Sequence, residues 1–308
     1  MLIGVNLPTY SSLGHRDAIV AIAQAAEALG YASLWTNDHV LLPTSRPEPF
    51  GNVLESLTTL SYLAASTHRI RLGTGILVLP QRDPLLVAKQ AATISHLSGG
   101  RLMLAVGVGY IEQEYAYLRS DFDNRGRLAD EYIPAMRELF ESGTPQFHGP
   151  HINFADVLFS PRPSAGIPLL VGGNSPAALR RAATLGDGWY GLWRSPDQVR
   201  ASLAQINEFG IHRAKFEVSL RVVTRIGSPM PDSDPETTLQ GDADAILHRI
   251  EQYSEAGLDR IVIEPVSTDL DDFLRQLARF ADEVTPHIPL TSSSSSRLAI
   301  PGSTGASA

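Results

Sequence analysis

Residues 70–106 read IRLGTGILVLPQRDPLLVAKQAATISHLSGGRLMLAV, and this stretch decides the fold. It begins with the apolar run Ile70–Leu77, which has the length of a buried strand. Pro84–Leu97 follows with the apolar spacing of a helix, and Ser98-Gly99-Gly100 ends it. The next apolar run, Arg101–Val106, again has the length of a strand. A strand, a helix and a strand in this order predict two parallel strands joined by a right-handed crossover.

The same alternation continues along the chain and gives eight strands and eight helices. Eight such units predict a closed (β/α)8 TIM barrel, and periodicity alone leaves an open doubly wound sheet as the alternative. Between the fourth and fifth units, Pro145–Pro163 predicts an inserted hairpin. The predicted strands are Leu2–Asn6, Ser33–Thr36, Ile70–Leu77, Arg101–Val106, Pro168–Val171, Trp189–Leu192, Phe216–Arg225 and Arg260–Ile263. The predicted helices are His15–Leu29, Leu54–Ser66, Pro84–Leu97, Arg127–Glu141, Pro176–Leu185, Pro196–Phe209, Asp242–Ala256 and Leu270–Val284.

Length and composition restrict the class of protein. The 308 residues predict one barrel domain over residues 1–290 and a disordered, Ser-rich tail over 291–308. The chain has no cysteine, which excludes disulfides and thiolate chemistry. A net charge of −8 and the lack of basic runs argue against nucleic-acid binding. Because no signal peptide or long apolar span is evident, we expect a cytoplasmic protein that does not cross a membrane.

Polar residues interrupt the chain directly after the second strand. Asn37-Asp38-His39 stands there, between apolar Trp35 and Val40. The loops after barrel strands form the active face, and a histidine beside a carboxylate can exchange protons near neutral pH. The alternative is a loop aspartate that caps backbone amides beside a packed histidine.

Glycines mark the ends of two further strands. Gly107 and Gly109 predict a flat wall on which a planar ring could lie. Gly172-Gly173, followed by Asn174 and Ser175 at the start of a helix, predict a phosphate site, with an ordinary serine cap as the alternative. Glu112 and Glu114 are interpreted as the solvated start of a helix rather than as catalytic groups. No metal site is predicted, since His148 and His151 lack carboxylate company.

Several stretches together resemble the luciferase-like monooxygenase superfamily, whose members are (β/α)8 barrels that use FMN or the deazaflavin coenzyme F420. The resemblance is clearest over residues 1–190. It is carried by Ala26–Pro43 (AEALGYASLWTNDHVLLP), Leu63–Leu102, Val106–Glu114 (VGVGYIEQE), Arg125–Tyr132 (RGRLADEY) and Gly172–Trp189 (GGNSPAALRRAATLGDGW).

The resemblance implies a role for each matching position. Asp38 and His39 match the catalytic pair beside the cofactor ring, and Gly75-Ile76 matches a non-prolyl cis peptide behind the ring. The loop along the ring and the ribityl chain is matched by Gly107, Gly109, Tyr110 and Gln113, and the phosphate-binding turn by Gly172, Gly173, Asn174 and Ser175.

The form of the strand-4 loop favours the F420-dependent branch. Oxygen-using FMN members more often carry a basic residue where this chain has Tyr110-Ile111. An FMN monooxygenase supplied with reduced flavin by a partner reductase is the alternative, and a non-catalytic flavin-binding protein is a third. The resemblance further implies a homodimer, with a flavin or F420 reductase as a possible source of reductant.

One departure bears on the substrate. Sugar-phosphate dehydrogenases of the family carry a Glu at the position of Tyr110, as the acid partner of the histidine, so His39 is expected to lack that partner. They also have a Trp a few residues after the histidine, where this chain has Leu42-Pro43, and no basic set for a sugar phosphate is evident. A sugar phosphate is therefore not expected. Trp193, Arg194 and Glu264, at the ends of later strands, are candidates for contact with a small organic substrate.

Overall fold

A computed structural model describes residues 1–45, 52–163, 166–230 and 232–288. The tail predicted over residues 291–308 lies outside the described residues, so its predicted disorder stays a prediction.

Eight parallel strands close into a barrel, which confirms the predicted TIM barrel. Their order around the barrel is β9-β11-β1-β2-β3-β4-β7-β8, and β8 pairs back with β9. The short strand β10 extends the sheet beyond the carboxyl half of β9, and β5 and β6 form a separate antiparallel pair. The strands are β1 (Leu2–Asn6), β2 (Ser33–Thr36), β3 (Arg71–Val78), β4 (Leu102–Gly107), β5 (Phe147–His148), β6 (Asn153–Phe154), β7 (Leu169–Gly172), β8 (Gly188–Leu192), β9 (Glu217–Ile226), β10 (Thr238–Gly241) and β11 (Arg260–Pro265).

Helices surround the barrel, and local capping fixes where they begin and end. Asp83 caps the helix of the stretch quoted above by accepting from Leu85 N and Leu86 N at 2.8 and 3.0 Å. Gly99 and Gly100 end it with left-handed φ values of 69° and 83°. The helices are α1 (Arg16–Ala28), α2 (Ser56–Ser66), α3 (Pro84–Leu97), α4 (Glu112–Tyr117), α5 (Arg125–Glu141), α6 (Pro176–Leu185), α7 (Pro196–Phe209), α8 (Ala243–Glu255) and α9 (Leu270–Arg279).

The structure differs from the predicted elements in a few places. The predicted last helix is α9 followed by a π-helical turn over Phe280–Val284, while α4 and β10 were not predicted. The inserted hairpin is confirmed: β5 and β6 pair, and the rings of Phe147 and Phe154 stack with 6.1 Å between their centroids. Within the described ranges, no helix is long and apolar enough to cross a membrane.

A small apolar cluster fills the barrel, separate from the larger core between strands and helices. Trp35 is its largest member and is fully buried. A Cβ on Gly73 would lie 2.6 Å from Trp35 Cζ3, so this glycine makes room for the indole. The other members of the cluster are Met103, Ala105, Leu170, Tyr190 and Val262.

Candidate active site at the carboxyl ends of the barrel strands

Asn37 joins the loop after β2 to the loop after β1 and to the strand β9 at the mouth of the barrel. Its Nδ2 donates to Leu7 O after β1 at 3.0 Å, and its Oδ1 accepts from Arg221 Nη1 of β9 at 2.6 Å. The side chain is buried and fully used in these bonds. Asn37 therefore fixes the start of the Asn-Asp-His loop.

Asp38 turns its carboxylate away from solvent. Its side chain is fully buried and accepts from Val78 N and from Arg82 Nη2, both at 2.7 Å. Burial raises the pKa of this carboxyl group, against the opposite effect of the Arg82 charge. Both oxygens are thus engaged between β2 and β3. The catalytic role expected for Asp38 stays a prediction. Its contacts show that its carboxylate holds the loop after β2 against the end of β3.

His39 has an acid partner, contrary to expectation. Its Nδ1 lies 3.1 Å from Glu114 Oε2, and Glu114 Oε1 accepts from Val40 N at 2.6 Å. Burial alone would raise the pKa of Glu114, but hydrogen bonds from His39 and Val40 outweigh it and hold that pKa below its usual value. An ionised Glu114 therefore favours a proton on Nδ1 of His39.

The interpretation of Glu114 as part of a solvated helix start is wrong. The residue is 1% exposed, whereas Glu112 is exposed. The physical reason is the position of Glu114 on α4, between buried Ile111 and Tyr115 at helical spacing. Because α4 has only six residues, this spacing alone does not identify an inward-facing carboxylate in the sequence.

Ile76 and three glycines build a closely packed wall beside this pair. The Gly75-Ile76 peptide is cis, as the resemblance implies. A Cβ on Gly107 would lie 2.9 Å from Ile76 Cγ2, and one on Gly172 would lie 2.7 Å from Ile76 Cγ1. Gly109 has φ 61°, and a Cβ there would lie 2.8 Å from Val78 Cγ1. At each of these glycines a Cβ would collide with Ile76 or Val78, so the glycines make room for these two apolar side chains.

The predicted phosphate turn starts α6. Gly173 has φ 114°, and Ser175 Oγ accepts from Ala178 N at 3.3 Å as an ordinary helix cap. Asn174 Nδ2 donates to Leu192 O at 2.8 Å, so its side chain fixes the turn against β8. Arg194 Nη2 donates to Asn174 O at 3.1 Å, which puts this candidate substrate residue beside the turn.

Two residues predicted to line the cofactor lie in and after the strand-4 loop. Tyr110 is 62% exposed and meets His39 edge-on, with 6.3 Å between the ring centroids. Gln113 is exposed on α4. Both lie at the mouth, and their cofactor contacts stay a prediction.

A buried ion pair crosses the interior below these loops. Arg221 Nε donates to Glu264 Oε2 at 2.9 Å, and Arg221 Nη2 bonds to Glu264 Oε1. Arg221 Nη1 also donates to Gly75 O at 3.4 Å. Although burial would raise the pKa of Glu264, the charge of Arg221 holds it below its usual value. The sequence analysis missed Arg221, although an arginine inside the apolar strand β9 was a visible signal.

Glu264 also receives bonds from the rim of the mouth. Tyr10 Oη donates to its Oε1 at 2.9 Å, and Trp193 Nε1 donates to its Oε2 at 3.3 Å. Trp193 has φ 48°, a left-handed conformation that costs a non-glycine residue on the order of 1 kcal/mol. Such strain persists where the surrounding structure enforces it, and here it positions an indole over the ion pair.

In the part of the chain that the structure describes, no three His, Asp or Glu side chains come together in a way that could hold a metal ion.

Sequence relatives include proteins of two kinds. An uncharacterized protein of Mycobacterium tuberculosis is 34% identical over 200 residues, which is 61% of this chain and 69% of that protein. The F420-dependent glucose-6-phosphate dehydrogenase of Amycolatopsis mediterranei is 25% identical and covers 89% of this chain and 95% of its own length. The pyrimidine monooxygenase RutA of Allorhizobium ampelinum is 33% identical over half of this chain and 44% of its own length.

Solved structures agree on the fold. An F420-dependent secondary alcohol dehydrogenase bound to an F420-acetone adduct superimposes with a TM-score of 0.78 at 19% identity, over 92% of this chain and 98% of that one. The oxygenating constituent of 3,6-diketocamphane monooxygenase from Pseudomonas putida, in complex with FMN, gives a TM-score of 0.75 at 15% identity, over 94% and 99%. The family model for luciferase-like monooxygenases matches residues 2–231, and the chain belongs to this family.

Proposed function

We propose that this protein is a coenzyme F420-dependent oxidoreductase that transfers a hydride between the deazaflavin and a small organic substrate. The observation that carries the proposal is the bond between His39 Nδ1 and buried Glu114 at the mouth of the barrel. Hydride transfer to a carbonyl group requires a proton donor at the substrate oxygen, and hydride transfer from an alcohol requires a proton acceptor there; an oriented histidine supplies either. When bound, F420 supplies the hydride chemistry itself.

The residues present fit such a cofactor. The wall of Ile76, Gly107 and Gly172 offers a flat, apolar surface for a planar ring. The turn at Gly173–Ser175 leads into α6 and offers the positive end of this helix for a phosphate group. Near-complete coverage by an F420-dependent relative supports the same choice.

The roles of the other residues follow from their contacts. Glu114 orients the imidazole of His39, which then exchanges a proton with the substrate through Nε2. Asp38 and Arg82 hold the loop that carries His39 against β3.

An FMN-dependent monooxygenase is the second candidate. A pyrimidine monooxygenase matches half of the chain, and one of the solved structures with the same fold contains FMN. Titration of the purified protein with F420 and with FMN, each oxidised and reduced, separates the two by absorbance and fluorescence. We expect F420 to bind at micromolar concentrations and FMN at least about tenfold more weakly. Tighter binding of FMN, with oxygen consumption when reduced FMN is added, would contradict the proposal.

Variants of histidine test whether the protein is an enzyme or a carrier. His39→Asn should bind F420 like the wild type but lose turnover by about a hundredfold. His96→Asn, an exposed histidine on α3, is the matched control and should leave both unchanged. F420 binding by a wild-type protein whose reaction does not depend on His39 would favour a non-catalytic carrier. The predicted homodimer and an F420 reductase as partner remain parts of this proposal.

A further inference from the structure

Trp193 is an exposed aromatic residue that its surroundings hold in one orientation. It is 47% exposed, yet its backbone N–H donates to Arg221 O at 3.0 Å and its indole N–H to Glu264 Oε2 at 3.3 Å. The Arg221 guanidinium carbon lies 5.6 Å from the centroid of the indole. An exposed side chain normally samples several rotamers, so these contacts turn the indole into a fixed surface.

This surface lies over the centre of the barrel mouth. Arg221 bonds to Glu264 of β11, to Asn37 after β2 and to Gly75 of β3, so its guanidinium crosses the interior. The indole above it therefore covers the interior rather than the outside of the barrel. Because β8 and β2 are four positions apart in the closed ring of eight strands, Trp193 faces His39 across the mouth.

Exposed apolar side chains gather around the same mouth. The apolar rim consists of Val40, Leu41, Tyr110, Trp193 and Val266, which follow β2, β4, β8 and β11. Their exposed fractions range from 43% for Val40 to 62% for Tyr110. Clustered apolar exposure at the active face of a barrel indicates a surface that a ligand covers.

The arginines near the rim already have carboxylate partners. Arg82 pairs with Asp38 and Glu55, and Arg221 pairs with Glu264. Arg194 points toward the turn that starts α6, on the cofactor side. A substrate phosphate or carboxylate would lose its hydration here and meet cations whose charge is already compensated. The mouth therefore favours an uncharged molecule.

We infer that Trp193 forms the substrate wall opposite His39, and that the substrate is uncharged, with a flat apolar part against the indole and a carbonyl or hydroxyl group at His39. This inference rests on the proposed function. In the reducing direction the carbonyl carbon gains a hydride and the oxygen gains one proton through His39. The ketone becomes a secondary alcohol, and the reduced cofactor is oxidised by two electrons.

The test compares Trp193→Ala and Trp193→Phe with Leu97→Ala, which removes an exposed leucine at the far end of α3. Acetophenone serves as the uncharged flat probe and glucose 6-phosphate as the charged probe. Their binding is measured by saturation-transfer NMR, both with the F420-loaded protein and with the protein alone. F420 affinity is measured separately by fluorescence.

We expect acetophenone to bind more tightly than glucose 6-phosphate, and Trp193→Ala to weaken acetophenone by about tenfold. Trp193→Phe should show a smaller loss, and Leu97→Ala none. F420 affinity should stay within about twofold of the wild type in all three variants. Acetophenone binding that is absent or unaffected by Trp193→Ala, or tighter binding of glucose 6-phosphate, would overturn the inference. Failure of the wild type to bind F420 would instead overturn the proposed function.

Discussion

At the scale of single residues, Glu114 contacts both the side chain of His39 and the backbone of the loop that carries it. One carboxylate oxygen orients His39, and the other accepts from Val40 N and Leu41 N at 2.6 and 3.3 Å. The carboxylate therefore holds both the imidazole and the backbone that carries it. In the proposed function Glu114 acts through His39, which makes it a positioning residue.

Glu114→Gln tests this role. Glutamine keeps the size and one acceptor oxygen but loses the charge that favours the proton on Nδ1, so we expect turnover to fall by about a hundredfold with KM and F420 affinity little changed. Glu114→Asp should recover part of the loss. The pH profile of turnover should change in Glu114→Gln and not in the control Glu112→Gln, whose side chain is exposed on the same helix. Equal loss in both variants would remove Glu114 from the mechanism.

The type and order of residues predict His39 well and its partner poorly. Asn37, Asp38 and His39 stand out because polar groups follow an apolar strand directly. Glu114 belongs to α4, which has six residues and is too short for a clear periodic pattern. Its burial depends on the approach of the β2 loop, which is a tertiary contact that local sequence does not encode.

At the scale of elements, the turn before β3 depends on one carboxylate. Glu27 of α1 accepts from His68 N, Arg69 N and Ile70 N at 2.9, 2.6 and 2.9 Å. Burial opposes ionisation, but the combined hydrogen bonds from these amides outweigh it and lower the pKa of Glu27 from 4.5 to about 2. The ionised form therefore stabilises the entry into the strand that carries Gly75 and Ile76.

Glu27→Gln should lower the free energy of unfolding by about 1 kcal/mol at neutral pH, as for the loss of a helix cap. Because the folded pKa is lowered, the stabilisation is present above the unfolded pKa near 4.5 and is lost as pH falls toward 2. Urea denaturation from neutral pH to about pH 3 measures this difference. The difference between variant and wild type should shrink with acid. Glu208→Gln, on the exposed face of α7, should show no such pH dependence.

The long elements were predictable because their signals are local. The helix α3 has its cap, its apolar stripe and its terminal glycines within one stretch of sequence. The strand β10 is different, since Thr238–Gly241 becomes a strand by pairing with the extended end of β9. Its existence depends on where a distant segment ends.

At the scale of the whole molecule, the amino end of the barrel is closed by a second buried ionic group. Arg260 is 1% exposed, and its Nε donates to Glu217 Oε1 at 2.8 Å. Its Nη1 donates to Ser33 Oγ at 2.8 Å, and Trp35 Nε1 donates to the same oxygen at 2.8 Å. These residues lie in β11, β9 and β2, so the group joins strands that are distant in sequence.

The number of strands in the sequence predicts the barrel. Which side chains cross its interior depends on how the strands are shifted relative to one another when the barrel closes, and the sequence does not show this.

This closure predicts a stability effect that is separate from activity. Arg260→Met leaves the partly buried Glu217 carboxylate without its nearest cation, so we expect a loss of about 2–3 kcal/mol in the free energy of unfolding. Glu217→Gln should cost a similar amount, and the double variant less than the sum, because the unpaired charge is then gone. Urea denaturation of the four proteins measures the coupling. Arg275→Met breaks an exposed pair with Asp272 and should cost less than about 1 kcal/mol.

Because Arg260 and Glu217 begin their strands, at the end opposite to His39, the folded variants should keep the F420 affinity of the wild type. Additive losses would show that the two side chains do not act as a pair, and weakened F420 binding would show that the two ends of the barrel are coupled.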